Sequence, residues 1–311
     1  MRVKSLYLDN VAGFKDFKIE FEPNRNAIFG VNGIGKTTIL NSIASFFYKI
    51  DKRKKILPMF IKNEFFDSKN SFFELEIEYE VYIKEQSLFE ENRKTKNIFR
   101  CNNRDLDSID KFQNEIEESS KIIYFTAYRF FSEIYSTPKP KINKNKSIFQ
   151  VYDQNSTSFS SPNKIHEYMV DIYIADAINV MEKQNNPAHM KELKELVKQV
   201  LHNKEFETVS KENPDYYDVI FKDSENNRFT LFELSHGEKL ILMFLMEFHK
   251  NKWKDSIVLI DEPEMSLHPD WQIKLIPILE KLGKNNQFII ATHSTKIIYP
   301  FEEDEVLYLG E

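Results

Sequence analysis

The chain has 311 residues, 41% of them hydrophobic and 14% aromatic, enough for one large or two ordinary domains with a real core, and this excludes a disordered chain. Its 43 basic and 49 acidic residues leave a net charge of -6, so the protein as a whole is not an electrostatic nucleic-acid binder, and only a local basic patch stays open. The longest apolar run, Leu240–Met246, has seven residues against the ~20 that a bilayer span requires, and Met1–Lys4 opens no apolar leader, so neither a membrane span nor a signal peptide is expected.

In chain order, Val3–Leu8, Phe17–Phe21 and Ala27–Phe29 read as short strands, the last running into a glycine cluster, and Thr38–Tyr48 has helical length and apolar character. Lys49–Lys55 is a basic run. Phe72–Ile83 alternates as a half-exposed strand, and Lys121–Ala127 reads as a buried strand end. Ser136–Pro162, rich in Pro, Lys, Asn and Ser and holding the second basic run, Lys139–Lys146, reads as a surface loop. Asn163–Met181 and Ala188–His202 have helical spacing on either side of Asn185-Asn186-Pro187, which predicts a short helical hairpin. Beyond it, Tyr216–Phe221 and Arg228–Phe232 form a hairpin of strands. Gly237–Lys250 and Trp271–Leu282 are helices, and Ile257–Ile260 and Phe288–Ala291 are buried strands. Alternating helix and strand in this last third predicts a parallel sheet.

Gly30-Val31-Asn32-Gly33-Ile34-Gly35-Lys36-Thr37 matches the glycine-spaced phosphate loop, directly after a strand and before a helix. Each part answers a charge on a nucleoside triphosphate. The glycines let backbone N–H groups of Asn32, Gly33 and Gly35 turn toward an anion, and the helix start through Lys36, Thr37 and Thr38 adds its positive end. Lys36 reaches the β- and γ-phosphates of ATP, and the Thr37 hydroxyl is offered to Mg²⁺. Ile257–Ile260 ends in Asp261-Glu262, two acids whose strand alternation implies different tasks: Asp261 on the Mg²⁺ shell, Glu262 as general base for the attacking water.

Leu234-Ser235-His236-Gly237-Glu238-Lys239 resembles the signature motif of the ABC-type ATPases in the RecF, SMC and OLD-like branch. Asp261–Gln272 resembles that branch's Walker B and D-loop, and Ala291-Thr292-His293-Ser294 its switch-histidine strand. The resemblance implies an α/β fold: an ABC-ATPase head with a mixed β-sheet core, an antiparallel β subdomain and a short helical insertion. The expected organisation is an N-terminal lobe over 1–135, a loop and helical insertion over 136–210, and a C-terminal lobe over 211–311. The resemblance also implies that Ser235, Gly237 and Glu238 meet the nucleotide of a second subunit across a two-fold axis, that Ser266–Pro269 crosses the interface, and that His293 senses the γ-phosphate. A homodimer or higher homo-oligomer follows.

Some positions depart from the family pattern. His236 stands where Gly or Asp is common, and reads either as an exposed histidine or as a phosphate or partner contact. Tyr128-Arg129 follows the strand where the Q-loop glutamine is expected, and Arg129 reads either as a phosphate or interface residue or as half of a structural ion pair. Phe14 and Lys15 are both candidates to cover the adenine. The chain shows no heptad arms, and the 18 residues after His293 leave no room in this sequence for a TOPRIM nuclease. No zinc-ligand spacing appears: His166, His189, His202 and His249 are scattered, and Cys101, unable to form an internal disulfide, fits a cytoplasmic protein. The resemblance therefore implies a cytoplasmic ATPase acting on a separately encoded effector, a nuclease or toxin, in bacterial anti-phage defence. The alternatives are a RecF-like DNA-binding repair ATPase and a nucleotide-gated scaffold with negligible turnover.

Overall fold

A computed structural model describes residues 1–47, 70–83, 93–115, 121–127, 149–152, 162–181, 188–201, 203–211 and 217–310. In chain order the elements are β1 (Arg2–Asp9), β2 (Phe17–Glu20), β3 (Arg25–Phe29), α1 (Lys36–Ser45), β4 (Phe72–Ile83), β5 (Arg93–Asn102), α2 (Leu106–Glu115), β6 (Ile122–Phe125) and β7 (Phe149–Tyr152). They continue with α3 (Pro162–Met181), α4 (Ala188–Val200), β8 (Lys204–Ser210), β9 (Asp218–Asp223), β10 (Arg228–Thr230), α5 (His236–Asn251), β11 (Ile257–Asp261), α6 (Pro269–Leu282), β12 (Gln287–Thr292), α7 (Thr295–Ile298) and β13 (Val306–Tyr308).

The central sheet has the order β13-β3-β12-β11-β6-β7, and every neighbouring pair in it is parallel. The mixed pairing expected of an ABC head is divided between sheets: antiparallel pairs occur in a four-stranded sheet, β2-β1-β4-β5, and a three-stranded sheet, β10-β9-β8. Strand alternation partitions the core. Ile122, Tyr124, Ile257, Leu259 and Ile289 join α1 and the four-stranded sheet in one apolar cluster, while Ile123, Phe125, Val258, Ile260 and Ile290 join α3, α4, α5 and α6 in another. With both faces covered, β11 and β12 are buried throughout, which is why they read as unbroken apolar runs.

Two strands depart from the sequence reading. The segment expected to be a loop contributes β7, which extends the central sheet beside β6. Four residues between polar stretches leave no usable periodicity. The two expected helices, α3 and α4, lie on the core, since Ile165, Met169, Met190, Leu193 and Val197 pack with Leu240–Phe248. For the same reason α5 is buried from Leu240 to His249 without an exposed face. The strand β8 was also hidden, because Lys204–Ser210 offers only Phe206 and Val209 to the interior.

Cys101 is buried on β5, and burial holds its thiol well above the usual range. His249 is likewise a packing residue: burial lowers its pKa, and its Nδ1 lies 2.8 Å from the Tyr168 hydroxyl. Among the described residues no helix is long and apolar enough to cross a membrane.

Candidate functional site

The C-terminal ends of β3, β11 and β12 converge, as ligand-binding edges of parallel sheets do. Between β3 and α1 the chain turns through Gly33 and Gly35, at φ 83° and 108°, where a side chain would be strained. Gly35 caps α1 without any side-chain hydrogen bond, so the first N–H groups of the helix are left for another acceptor. An open hollow of about 490 Å³ follows this loop, lined by Asn32, Gly33, Gly35, Lys36, Thr37, Thr38, Glu262, Met265 and His293.

Lys36 is buried to 3% exposure, and its Nζ donates to the carbonyls of Gly30 (2.9 Å) and Val31 (3.1 Å) while lying 3.4 Å from Glu262 Oε1. Thr37 Oγ1 donates to Asp261, 2.9 Å from Oδ2. This hydroxyl and carboxylate form an all-oxygen donor pair at a buried strand end, which fits a hard cation such as Mg²⁺.

Strand alternation alone would send Glu262 away from Asp261. It does not, because Glu262 adopts a left-handed conformation, φ 49°, just past the end of β11. The turn is anchored by its amide on the Ala291 carbonyl at 2.8 Å, and it brings the carboxylate back to Lys36 on one side and His293 on the other, with His293 Nδ1 2.5 Å from Glu262 Oε2. The expected division of labour between the two acids thus has a different geometric origin from simple alternation.

Glu264 was missed in the sequence. Its Oε1 accepts from Thr292 Oγ1 (2.6 Å) and from the amides of His293 (2.8 Å) and Ser294 (3.2 Å). Ligand atoms of Glu262, Glu264 and His293 all lie within 4.8 Å of one another, which joins two neighbouring acids to a histidine from the next strand's end. The available signal was a second acid two residues beyond Glu262, in a segment otherwise ruled by Pro, Met and Leu.

Ser235, Gly237 and Glu238 do not line this hollow. Ser235 caps α5 in a reciprocal box: Glu238 N donates to its Oγ at 3.3 Å, and its own amide donates to Glu238 Oε2 at 2.8 Å. Lys204 Nζ holds Glu238 at 2.8 Å. Burial pushes the Glu238 carboxyl up, but the Lys204 contact and the Ser235 amide outweigh it, and the net shift is downward. Gly237 meets the D-loop of its own chain, since an added Cβ would lie 2.3 Å from the Ser266 carbonyl oxygen. His236 is half-buried, and burial, with Lys239 nearby, lowers its pKa.

Of the two adenine candidates, Phe14 stands against Gly35, where a Cβ would be 2.6 Å from its ring, whereas Lys15 is exposed. Tyr128, Arg129 and the basic runs Lys49–Lys55 and Lys139–Lys146, left open as a local DNA-facing patch or as solvated charge, lie outside the described residues.

Comparison with known proteins shows the family of the chain. The profile of the family described as "AAA domain, putative AbiEii toxin, Type IV TA system" matches residues 25–298. The Septu protein PtuA of Bacillus thuringiensis is 25% identical over 99% of this chain and 76% of its own length. The Retron Ec83 probable ATPase of Escherichia coli is 35% identical over 98 residues, 28% of this chain and 18% of that protein, so in this case the chain spans a small part of its relative. Among solved structures, an Smc head domain with an extended coiled coil, bound to the C-terminal domain of ScpA derived from Pyrococcus furiosus, aligns with a TM-score of 0.52 at 12% identity, covering 96% of this chain and 91% of the other. That likeness is one of fold. With the glycine loop Gly30–Thr37, the strand-tip acids Asp261 and Glu262 and His293 gathered at one sheet edge, the chain belongs to the AAA domain, putative AbiEii toxin, Type IV TA system family, and is an ABC-type ATPase of the RecF, SMC and OLD-like branch.

Proposed function

We propose that the protein binds ATP with Mg²⁺ and hydrolyses it at composite sites formed between two copies of the chain, and that this cycle governs a separately encoded effector, a nuclease or toxin, in anti-phage defence. The observation that carries the chemistry is the position of the Glu262 carboxylate, 3.4 Å from Lys36 Nζ and 2.5 Å from His293 Nδ1 in one hollow. ATP draws Lys36 onto its β,γ-phosphates, which loosens the Lys36–Glu262 contact and frees the carboxylate to take the proton of the attacking water. His293 orients the γ-phosphate. Thr37 and Asp261 would hold Mg²⁺, which when bound neutralises charge on the phosphate oxygens.

The composite-site part rests on Ser235 and Gly237. They head α5, whose exposed N-terminus favours an anion, yet they lie outside the hollow that their own chain builds for one. Two copies related by a two-fold axis satisfy both surfaces. The defence assignment draws on the likeness of 99% of this chain to 76% of a Septu protein and the partial likeness to a retron ATPase.

Glu262→Gln tests the reading, because it keeps the shape and removes the base. ATP titration should show retained affinity, phosphate release should fall by roughly 10² to 10⁴, and light scattering in ATP should show a persistent dimer. Hydrolysis at the wild-type rate would remove Glu262 from its role, and a variant that stays monomeric in ATP would contradict the composite site.

A further inference from the structure

We propose that Glu264 is a positioning residue for hydrolysis: its buried carboxylate fixes the backbone and ring of His293 and joins that histidine to the segment Ser266–Pro269, which is expected to cross the subunit interface. This rests on the ATP-hydrolysis reading above. The Glu264 side chain is only 5% exposed, and its two oxygens are used unequally. Oε1 accepts from Thr292 Oγ1 and from the consecutive amides of His293 and Ser294, and lies 3.1 Å from His293 Nδ1. Oε2 is enclosed, with no hydrogen-bond partner among the described residues. Burying a carboxylate and leaving one of its oxygens unmatched opposes folding, so an amide or an apolar residue would suit the fold alone better. What the carboxylate supplies is orientation. Amides on both sides of the His293 Cα are pinned to one oxygen, which limits rotation of the backbone at that residue. The ring is bracketed as well, because Nδ1 faces Glu262 Oε2 at 2.5 Å and Glu264 Oε1 at 3.1 Å. The Glu262 acceptor on Nδ1, with the Glu264 carboxylate close by, assigns the ring proton there and leaves Nε2 as the nitrogen available to substrate.

The same residue begins the link to the interface. The Leu267 amide returns to the Glu264 carbonyl at 3.0 Å, and the Leu267 carbonyl accepts from Gln272 Nε2 at 2.9 Å. Gln272 Oε1 in turn accepts from Ser294 Oγ at 2.6 Å. The loop and the end of β12 therefore form one closed set of hydrogen bonds, and Ser266, at φ 64°, presents its carbonyl to Gly237 at the head of α5. A shift of α5 or of the loop reaches His293 through Glu264.

The test is a double-mutant cycle on the full chain with Glu264→Gln, His293→Ala and both together. Because misplacing a reacting group by about 1 Å can cost roughly 10²-fold, Glu264→Gln should lower kcat by about 10- to 100-fold. KM and ATP affinity should stay within about twofold, and adding Glu264→Gln to His293→Ala should change kcat by less than about twofold. Imidazole ¹⁵N spectra, with His293 assigned by its absence in His293→Ala, should show the Nδ1–H form in wild type and a mixture of tautomers in Glu264→Gln, a readout that needs no turnover. If Glu264→Gln is poorly folded, Gln272→Ala, which cuts only the outer tether, should still show the kcat loss at unchanged affinity. Losses that add in the double variant, an equal loss of affinity, or an unchanged His293 spectrum would overturn the proposal. A His293→Ala variant with normal kcat would likewise overturn it, whereas a wild-type chain without ATPase activity would instead overturn the underlying hydrolysis reading.

Discussion

Replacing Gly237 with alanine places a methyl group 2.3 Å from the carbonyl oxygen of Ser266 and 3.2 Å from Trp271 Cζ3. Carbon and oxygen settle at about 3.3 Å, so the head of α5 and the loop must part by about 1 Å. Neither side yields easily. Ser266 is already left-handed, at φ 64°, with the next amide held on the Glu264 carbonyl at 3.0 Å, and α5 is enclosed from Leu240 onward. Overpacking of this kind costs ~1–3 kcal/mol, and alanine's preference for helix over glycine returns at most about 1 kcal/mol. With neither side yielding, the upper end of that cost applies and the net loss is about 2 kcal/mol. At about 1.5 °C per kcal/mol for 311 residues, thermal unfolding followed by circular dichroism should show Tm lowered by about 3 °C. ATP-dependent dimerisation should weaken at the same time, because the displaced loop is the one expected at the interface. A Tm at or above wild type would refute the packing argument, and normal dimerisation alongside a lowered Tm would separate the glycine's local role from any interfacial one.

Two further expectations concern the same helix. Ser235→Arg should leave initial ATP affinity nearly intact and abolish closure on a partner, whereas Lys36→Ala should weaken ATP binding itself. Mixed together, the two variants form dimers with one doubly damaged and one intact composite site, so ATP-dependent dimerisation measured by sedimentation should recover, and wild-type turnover by Ser235→Arg alone would rule out the arrangement. The pH dependence of stability follows from Glu238, whose folded-state pKa lies below its unfolded value near 4.3. Its contribution is present above that value and lost as pH falls through the folded pKa. Lys204→Met should therefore destabilise the protein at pH 7 in urea titrations, with a deficit that shrinks below about pH 4, and a pH-independent deficit would refute the Lys204–Glu238 account.

The sequence determined the parts of this protein whose chemistry is local. A phosphate loop needs its glycines, lysine and threonine within eight consecutive positions because neighbouring amides must face one anion, so Gly30–Thr37 is legible without a fold. The apolar run into Asp261-Glu262 is legible for a similar reason, since a strand covered on both faces must be apolar until it reaches the edge where ligands bind. The folded chain decided what depends on distant groups meeting. Whether Glu262 faces Lys36 or turns away depends on one left-handed residue held by the Ala291 carbonyl, and Glu264 acquires its partners only when β12 lies beside β11. Gly237 reads as part of a phosphate-binding signature, but its need to lack a side chain is set by a carbonyl 29 positions away in the chain, at Ser266. β7 escaped notice because it has only four residues, at an edge of its sheet, and β8 because it buries only Phe206 and Val209, too few to impose a period. Such strands are held by backbone hydrogen bonds to a neighbour, and backbone pairing leaves little trace in side-chain identity.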